Sequence, residues 1–189
     1  MKIAILGWGS LIWQPKSLFY DKKFGWKEDG PKLPIEFSRI SKNGRLTLVI
    51  DKEANLVQTL YTLSNHDKLD EAILNLAIRE GSKQSAIGYY NKKNNTFTPN
   101  NFEFKESIKK WIILKEFDAV IWTNLGVKFK YEINNIKVNI KPTDRLEYLK
   151  DLNKSKSSLA EEYIRKTPSQ IKTQWRKVFE ENLDWLPIT

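Results

Sequence analysis

In two places apolar and polar side chains alternate residue by residue on both sides of a turn sequence, a period of two that a β-strand satisfies and a helix does not. Ile35, Phe37 and Arg39 alternate with Glu36 and Ser38, Asn43-Gly44 supplies the turn, and Leu46, Leu48 and Ile50 alternate on the return. Asn-Gly is a strong hairpin signal because both residues tolerate the positive φ of a tight primed turn. Val127, Phe129, Tyr131 and Ile133 repeat the pattern, Asn134-Asn135 turns, and Ile136, Val138 and Ile140 lead back. The chain is thus committed to antiparallel pairing twice, and helices must pack around it.

Other segments fill in the frame. Lys2 to Leu6 is an apolar run that stops at Gly7-Trp8-Gly9-Ser10, the pattern of a buried strand ending in a tight turn. Val57 to Leu63 predicts one further strand. Ser64-Asn65-His66-Asp67 offers capping side chains for a helix with Leu69, Ile73, Leu76 and Ala77 at helical spacing, which Gly81 ends. Ala86 to Tyr90 reads as a strand, Ile108 to Leu114 as a short helix and Asp118 to Thr123 as a buried strand. From Thr143 the spacing is helical, with Thr143 and Ser155 or Ser157 as caps and Pro168 opening a last helix that carries Ile171, Trp175, Val178 and Phe179. The expected class is α+β in a single domain over 1–189, with a core to about residue 141 and C-terminal helices over about 143–185.

Composition excludes several classes. With 40% hydrophobic residues and seven Trp the chain has enough apolar surface to fold, and no segment reaches the roughly 18 uncharged apolar residues of a membrane span. The N-terminus lacks a basic region, an apolar run and a small-residue cleavage site, so no membrane partner and a cytoplasmic location are expected. Zero cysteines excludes disulfides, thiolate metal sites and a Cys nucleophile. The net charge of +9 raises nucleic acid as a partner, with Lys150, Lys154, Lys156, Arg165, Lys166, Lys172, Arg176 and Lys177 on the C-terminal helices. The excess is nearly all Lys, spread among apolar residues and acids, which is the pattern of solvated faces, and nucleic acid is the weakest of the readings.

Three features bear on chemistry. A glycine-flanked turn such as Gly7-Trp8-Gly9-Ser10 lets backbone N–H groups face a ligand oxygen at close range. Glu80 continues the series Leu69, Ile73, Leu76 in steps of four, three and four residues, so a carboxylate lies on the apolar face of its helix, a setting that suits a general base. Arg39 shares the strand face of Ile35 and Phe37, which would aim a guanidinium at a carboxylate. Arg79 points about 100° away from Glu80 around the helix, so Arg39 is the cation expected to moderate that carboxylate. His66, the only histidine, falls among the capping residues, and one His without Cys does not assemble a metal site.

Taken together, Ile5-Leu6-Gly7-Trp8-Gly9-Ser10-Leu11 resembles the Tyr-Gly-Ser-Asn-Leu signature of gamma-glutamylcyclotransferases, and Arg79-Glu80-Gly81 resembles the Glu-Gly that holds their catalytic glutamate. Leu-Gly-Trp-Gly-Ser-Leu-Ile-Trp at 6–13, Leu-Pro-Ile-Glu-Phe-Ser-Arg-Ile-Ser at 33–41, Asp-Ala-Val-Ile-Trp-Thr at 118–123 and Tyr-Ile-Arg-Lys-Thr-Pro at 163–168 are similar to a bacterial branch of that superfamily. The likeness to the superfamily spans residues 3–123, and that of the C-terminal helices is to the branch.

The resemblance implies a small mixed β-barrel with surrounding helices. It implies an intramolecular reaction in which the α-amine of a gamma-glutamyl group attacks its own γ-carbonyl, giving 5-oxoproline and a free amine without cofactor or metal. Glu80 would be the catalytic base and acid, and Gly7, Trp8, Gly9, Ser10, Leu11 and Arg39 would bind the substrate. Trp8 stands where the family has Tyr, and Leu11 where many members have Asn, which removes a hydroxyl and an amide from the loop. A non-catalytic protein that binds a small amino-acid-like metabolite in a cavity where the first loop meets Glu80 is the alternative.

Overall fold

The computed structural model describes residues 1–133 and 136–188, the side chains of Ile133, Ile136 and Val138 excepted. In chain order the elements are β1 (Ile3–Gly7), β2 (Lys32–Ile40), β3 (Leu46–Ile50), β4 (Leu56–Gln58), β5 (Leu60–Leu63), α1 (Leu69–Glu80), β6 (Ile87–Asn91), β7 (Thr96–Thr98), α2 (Lys105–Leu114), β8 (Ala119–Thr123), β9 (Lys130–Ile133), β10 (Ile136–Asn139), α3 (Arg145–Lys150), α4 (Lys154–Lys166) and α5 (Gln174–Leu183). They make a mixed α+β structure in two compact units, one of residues 1–33 and 58–125 and one of residues 34–57 and 126–189. Among the described residues no helix is long and apolar enough to cross a membrane.

The first unit is organised by β1, whose five residues are all buried. An uninterrupted apolar strand belongs inside a sheet, and β1 lies between antiparallel β5 and parallel β8 in the order β5-β1-β8-β6-β7. Ile3 and Ile5 join Ile87, Ile121, Leu11 and Leu18 in a core closed by Ala72, Leu76 and Ala77 of α1. Each such Ile or Leu contributes about 1.5–3 kcal/mol through burial. The edge strand β5 is covered by the connection after β1, where Lys27 and Tyr61 exchange N–H···O bonds of 2.8 and 2.9 Å. Among the described residues no strand pairing joins β5 to β7.

In the second unit β2 and β3 form the expected hairpin, and Gly44 takes the positive φ of 78° that its turn requires. The strands belong to a three-stranded sheet of order β3-β2-β4, and β9 pairs with β10 in a separate hairpin. The proposed Asn134-Asn135 turn lies outside the described residues. Phe37 of β2 meets the rings of Tyr163 and Phe179 at 6.4 and 5.6 Å, which fixes α4 and α5 on that sheet.

Several local expectations are corrected. Val57 to Leu63 is two strands in different sheets, broken at buried Thr59, whose hydroxyl donates to the Pro31 carbonyl. The N-cap of α1 is Lys68 without a side-chain bond, because Ser64 and Asn65 bond His66 N–H and the Tyr20 carbonyl instead. Asn153 rather than Ser155 or Ser157 caps α4, and Thr143 bonds Asp144 rather than a helix terminus. Thr173 caps α5, which begins six residues beyond Pro168.

Candidate functional site

Gly7 ends β1 where the chain must turn out of the sheet. A Cβ at this position would lie 2.6 Å from Cζ3 of Trp26, so glycine is required here by the close approach of an indole ring. Trp8 and Leu11 turn inward, each 5% exposed, and Ser10 between them is half-buried. The turn is held by Ile12 N–H on the Gly9 carbonyl at 3.0 Å and Gln14 N–H on the Ser10 carbonyl at 2.9 Å. Among the described residues the N–H groups of Gly9, Ser10 and Leu11 donate to no acceptor, which leaves three consecutive donors on this loop. The two buried side chains anchor the backbone that carries them.

Glu80 stands in the last turn of α1, where Gly81 closes the helix at a φ of 59°. The buried stripe of this helix runs through Ala72, Leu76 and Arg79, with Ile73 and Leu69 at its margin, so Glu80 sits at the edge of the stripe with its side chain 17% exposed. Arg79 is the surprise: its side chain is 5% exposed. Its Nη1 donates to Glu80 Oε1, and its Nη2 donates to the Gln14 carbonyl at 2.7 Å and to Ser10 Oγ at 3.4 Å. Arg79, rather than Arg39, is therefore the cation beside Glu80. The 100° between neighbouring helix positions is spanned because the long side chain is pinned to the loop at its far end. Glu80 Oε2 makes no hydrogen bond among the described residues. The buried Nε of Arg79 has no partner among them either, and an unmet donor of this kind costs about 1–3 kcal/mol.

The sequence-derived residues Gly7, Trp8, Gly9, Ser10, Leu11 and Glu80 all belong to the first unit, and the Glu80–Arg79–Ser10 chain brings the base candidate to the loop. Arg39 belongs to the second unit, where its Nη1 donates to the Gly126 carbonyl at 2.7 Å and burial lowers its pKa. A β-bulge between Phe37 and Arg39 breaks the alternation, so Ile40 takes the buried place and Arg39 is half-buried. His66 packs edge-on to Phe19 with Nδ1 3.4 Å from Glu71 Oε2. Among the described residues no group of three or more His, Cys, Asp and Glu is placed to hold a metal ion.

The second unit holds a buried polar cluster beside a cavity of about 360 Å³, which the alternating pattern concealed because Glu36 and Ser38 read as solvent-facing. Glu36 is 5% exposed and accepts N–H bonds from Phe37 and Trp175 at 2.8 and 3.1 Å. Burial raises its pKa, opposed by the Thr173 hydroxyl, these N–H groups and the Arg145 charge. Ser38 Oγ donates to Asp51 and accepts from Arg145. Each of these side chains is engaged by the fold itself, which marks the cluster as a structural network.

A scan against family models, a search of curated proteins and a search of solved structures return no significant match to the chain.

Proposed function

We propose that this chain is a gamma-glutamylcyclotransferase-like enzyme, with the mixed-barrel architecture of that superfamily, which cyclises a gamma-glutamyl amine or peptide to 5-oxoproline. The observation that carries this reading is the Glu80–Arg79–Ser10 chain, which ties the candidate base to the loop whose three N–H groups are unengaged.

In this mechanism Glu80 Oε2 accepts a proton from the substrate α-ammonium, and the amine so formed attacks the γ-carbonyl carbon to close the ring. Negative charge developing on the carbonyl oxygen is held by the N–H groups of Gly9, Ser10 and Leu11. The bond to the leaving nitrogen breaks as Glu80 returns its proton there. The ring nitrogen gives up a second proton by the same route, so the amine departs as an ammonium ion and no water or electron is consumed. Gly7 and Trp8 shape the loop, and Arg39 has no step.

The test is 5-oxoproline release from a panel of gamma-glutamyl amides and dipeptides. Glu80→Gln should lower turnover by about 10² to 10⁴-fold, the usual contribution of a general acid–base group, with the fold intact. Release unaffected by that substitution refutes the assignment, and binding without release makes the chain a metabolite-binding protein instead.

A further inference from the structure

We infer that Arg79 and Glu80 act as a paired receptor for the zwitterionic end of an α-amino acid, Arg79 taking the α-carboxylate and Glu80 the α-ammonium. This rests on the reaction proposed above and extends it to the part of the substrate that is recognised.

The Arg79 side chain is 5% exposed, yet its Nε has no acceptor among the described residues. The large majority of buried side-chain polar atoms in folded proteins are paired, and an unmet donor beside the candidate base is open to an acceptor that a ligand brings. Nη1 is occupied by Glu80 and Nη2 by the loop, so Nε is the position left for a ligand oxygen. The bond to Ser10 Oγ, at 3.4 Å the longest that the guanidinium makes, is the contact a carboxylate would displace to bind in the two-pronged geometry arginine favours.

The buried guanidinium and the Glu80 carboxylate neutralise one another. A cation bound at Glu80 alone would leave the guanidinium uncompensated in a low-dielectric setting, and an anion bound at Arg79 alone would leave the site with a surplus negative charge. A ligand that brings both charges keeps the site neutral throughout. The two receptor groups are neighbours in sequence and in contact, which matches the single carbon that separates the ammonium from the carboxylate in an α-amino acid. A gamma-glutamyl group meets this requirement with its γ-carbonyl left over for the loop N–H groups.

The experiment is isothermal titration calorimetry with L-glutamine, the simplest gamma-glutamyl amide, and with 4-aminobutanamide, which is the same molecule without its α-carboxylate. The wild-type protein should bind L-glutamine about 10-fold to 150-fold more tightly, the discrimination expected of one charge-assisted contact. Arg79→Met should bind the two compounds equally, with its fold checked by circular dichroism. Should that variant not fold, Arg79→Lys, which keeps the charge and loses the fork, should show a reduced preference. Equal affinity of the wild type for both compounds, no binding of either at millimolar concentration, or a preference that survives Arg79→Met would overturn the inference. The outcome is separable from the reaction. A carboxylate preference without 5-oxoproline release leaves the receptor standing and removes the cyclisation, whereas release with no such preference does the reverse.

Discussion

Arg145→Met probes a buried charge of the second unit. The guanidinium is buried, its centre 4.7 Å from the Phe129 ring and 4.9 Å from the Trp175 ring. Nε donates to the Phe37 carbonyl at 2.7 Å, Nη1 to the Pro142 carbonyl at 2.5 Å and Nη2 to Ser38 Oγ at 2.7 Å. Burial lowers its pKa, and the charges of Glu36 and Asp51 oppose that shift. Replacing it with an apolar side chain leaves two carbonyl oxygens unpaired, at about 1–3 kcal/mol each. It also removes two ring contacts worth about 0.5–2 kcal/mol each and leaves Asp51 and Glu36 without their cation. Removal of the desolvation cost of the guanidinium, several kcal/mol, offsets part of this. The net loss should be about 3–5 kcal/mol, as found when one partner of a buried pair is deleted. Urea denaturation followed by tryptophan fluorescence measures it, and Trp175 reports on the site directly. A loss below about 1 kcal/mol, the scale of an exposed ion pair, would refute the claim that this charge is locked into the core.

Two further substitutions test other parts of the structure. Because burial raises the Glu36 pKa above its ordinary 4.5, the folded protein holds a proton that the unfolded chain has lost. That contribution is complete below about pH 4 and disappears as pH rises through the folded pKa, so Glu36→Gln should remove a decline in wild-type stability above pH 4.5, seen as diverging denaturation curves between pH 4 and 8. Identical slopes would show that the carboxyl ionises alike in both states. A Cβ at Gly88 would lie 2.3 Å from Cε2 of Trp122, whose ring is fully buried, so Gly88→Ala should cost about 1–3 kcal/mol in chemical denaturation. Gly126→Ala, with nothing within 4 Å, should stay within about 0.5 kcal/mol of wild type.

Patterns that depend on near neighbours in sequence were readable without coordinates. Alternation with Asn43-Gly44 located the β2–β3 hairpin, an unbroken apolar run located β1, and Gly81 marked the end of α1, because pleat, turn and helix period are local properties of the backbone. The Gly7–Leu11 loop and Glu80 stood out for the same reason, a glycine pair at a strand end and a carboxylate in an apolar series. What distant partners decide was not readable. Leu69, Ala72, Leu76 and Arg79 follow one another in steps of three, four and three, as regular as the series that ends on Glu80, but a guanidinium is buried only where acceptors await it. Those acceptors, the Gln14 carbonyl and Ser10 Oγ, lie 65 and 69 residues earlier. Glu36 and Ser38 likewise alternated as if solvated, and they are buried because Arg145 and α5 arrive from more than 100 residues away. The sequence by itself therefore located β1, the β2–β3 hairpin, the end of α1 and the loop and glutamate of the candidate site. Only the tertiary structure decided which polar side chains are buried, since the free energy of burying a charge depends on partners that long-range packing alone supplies.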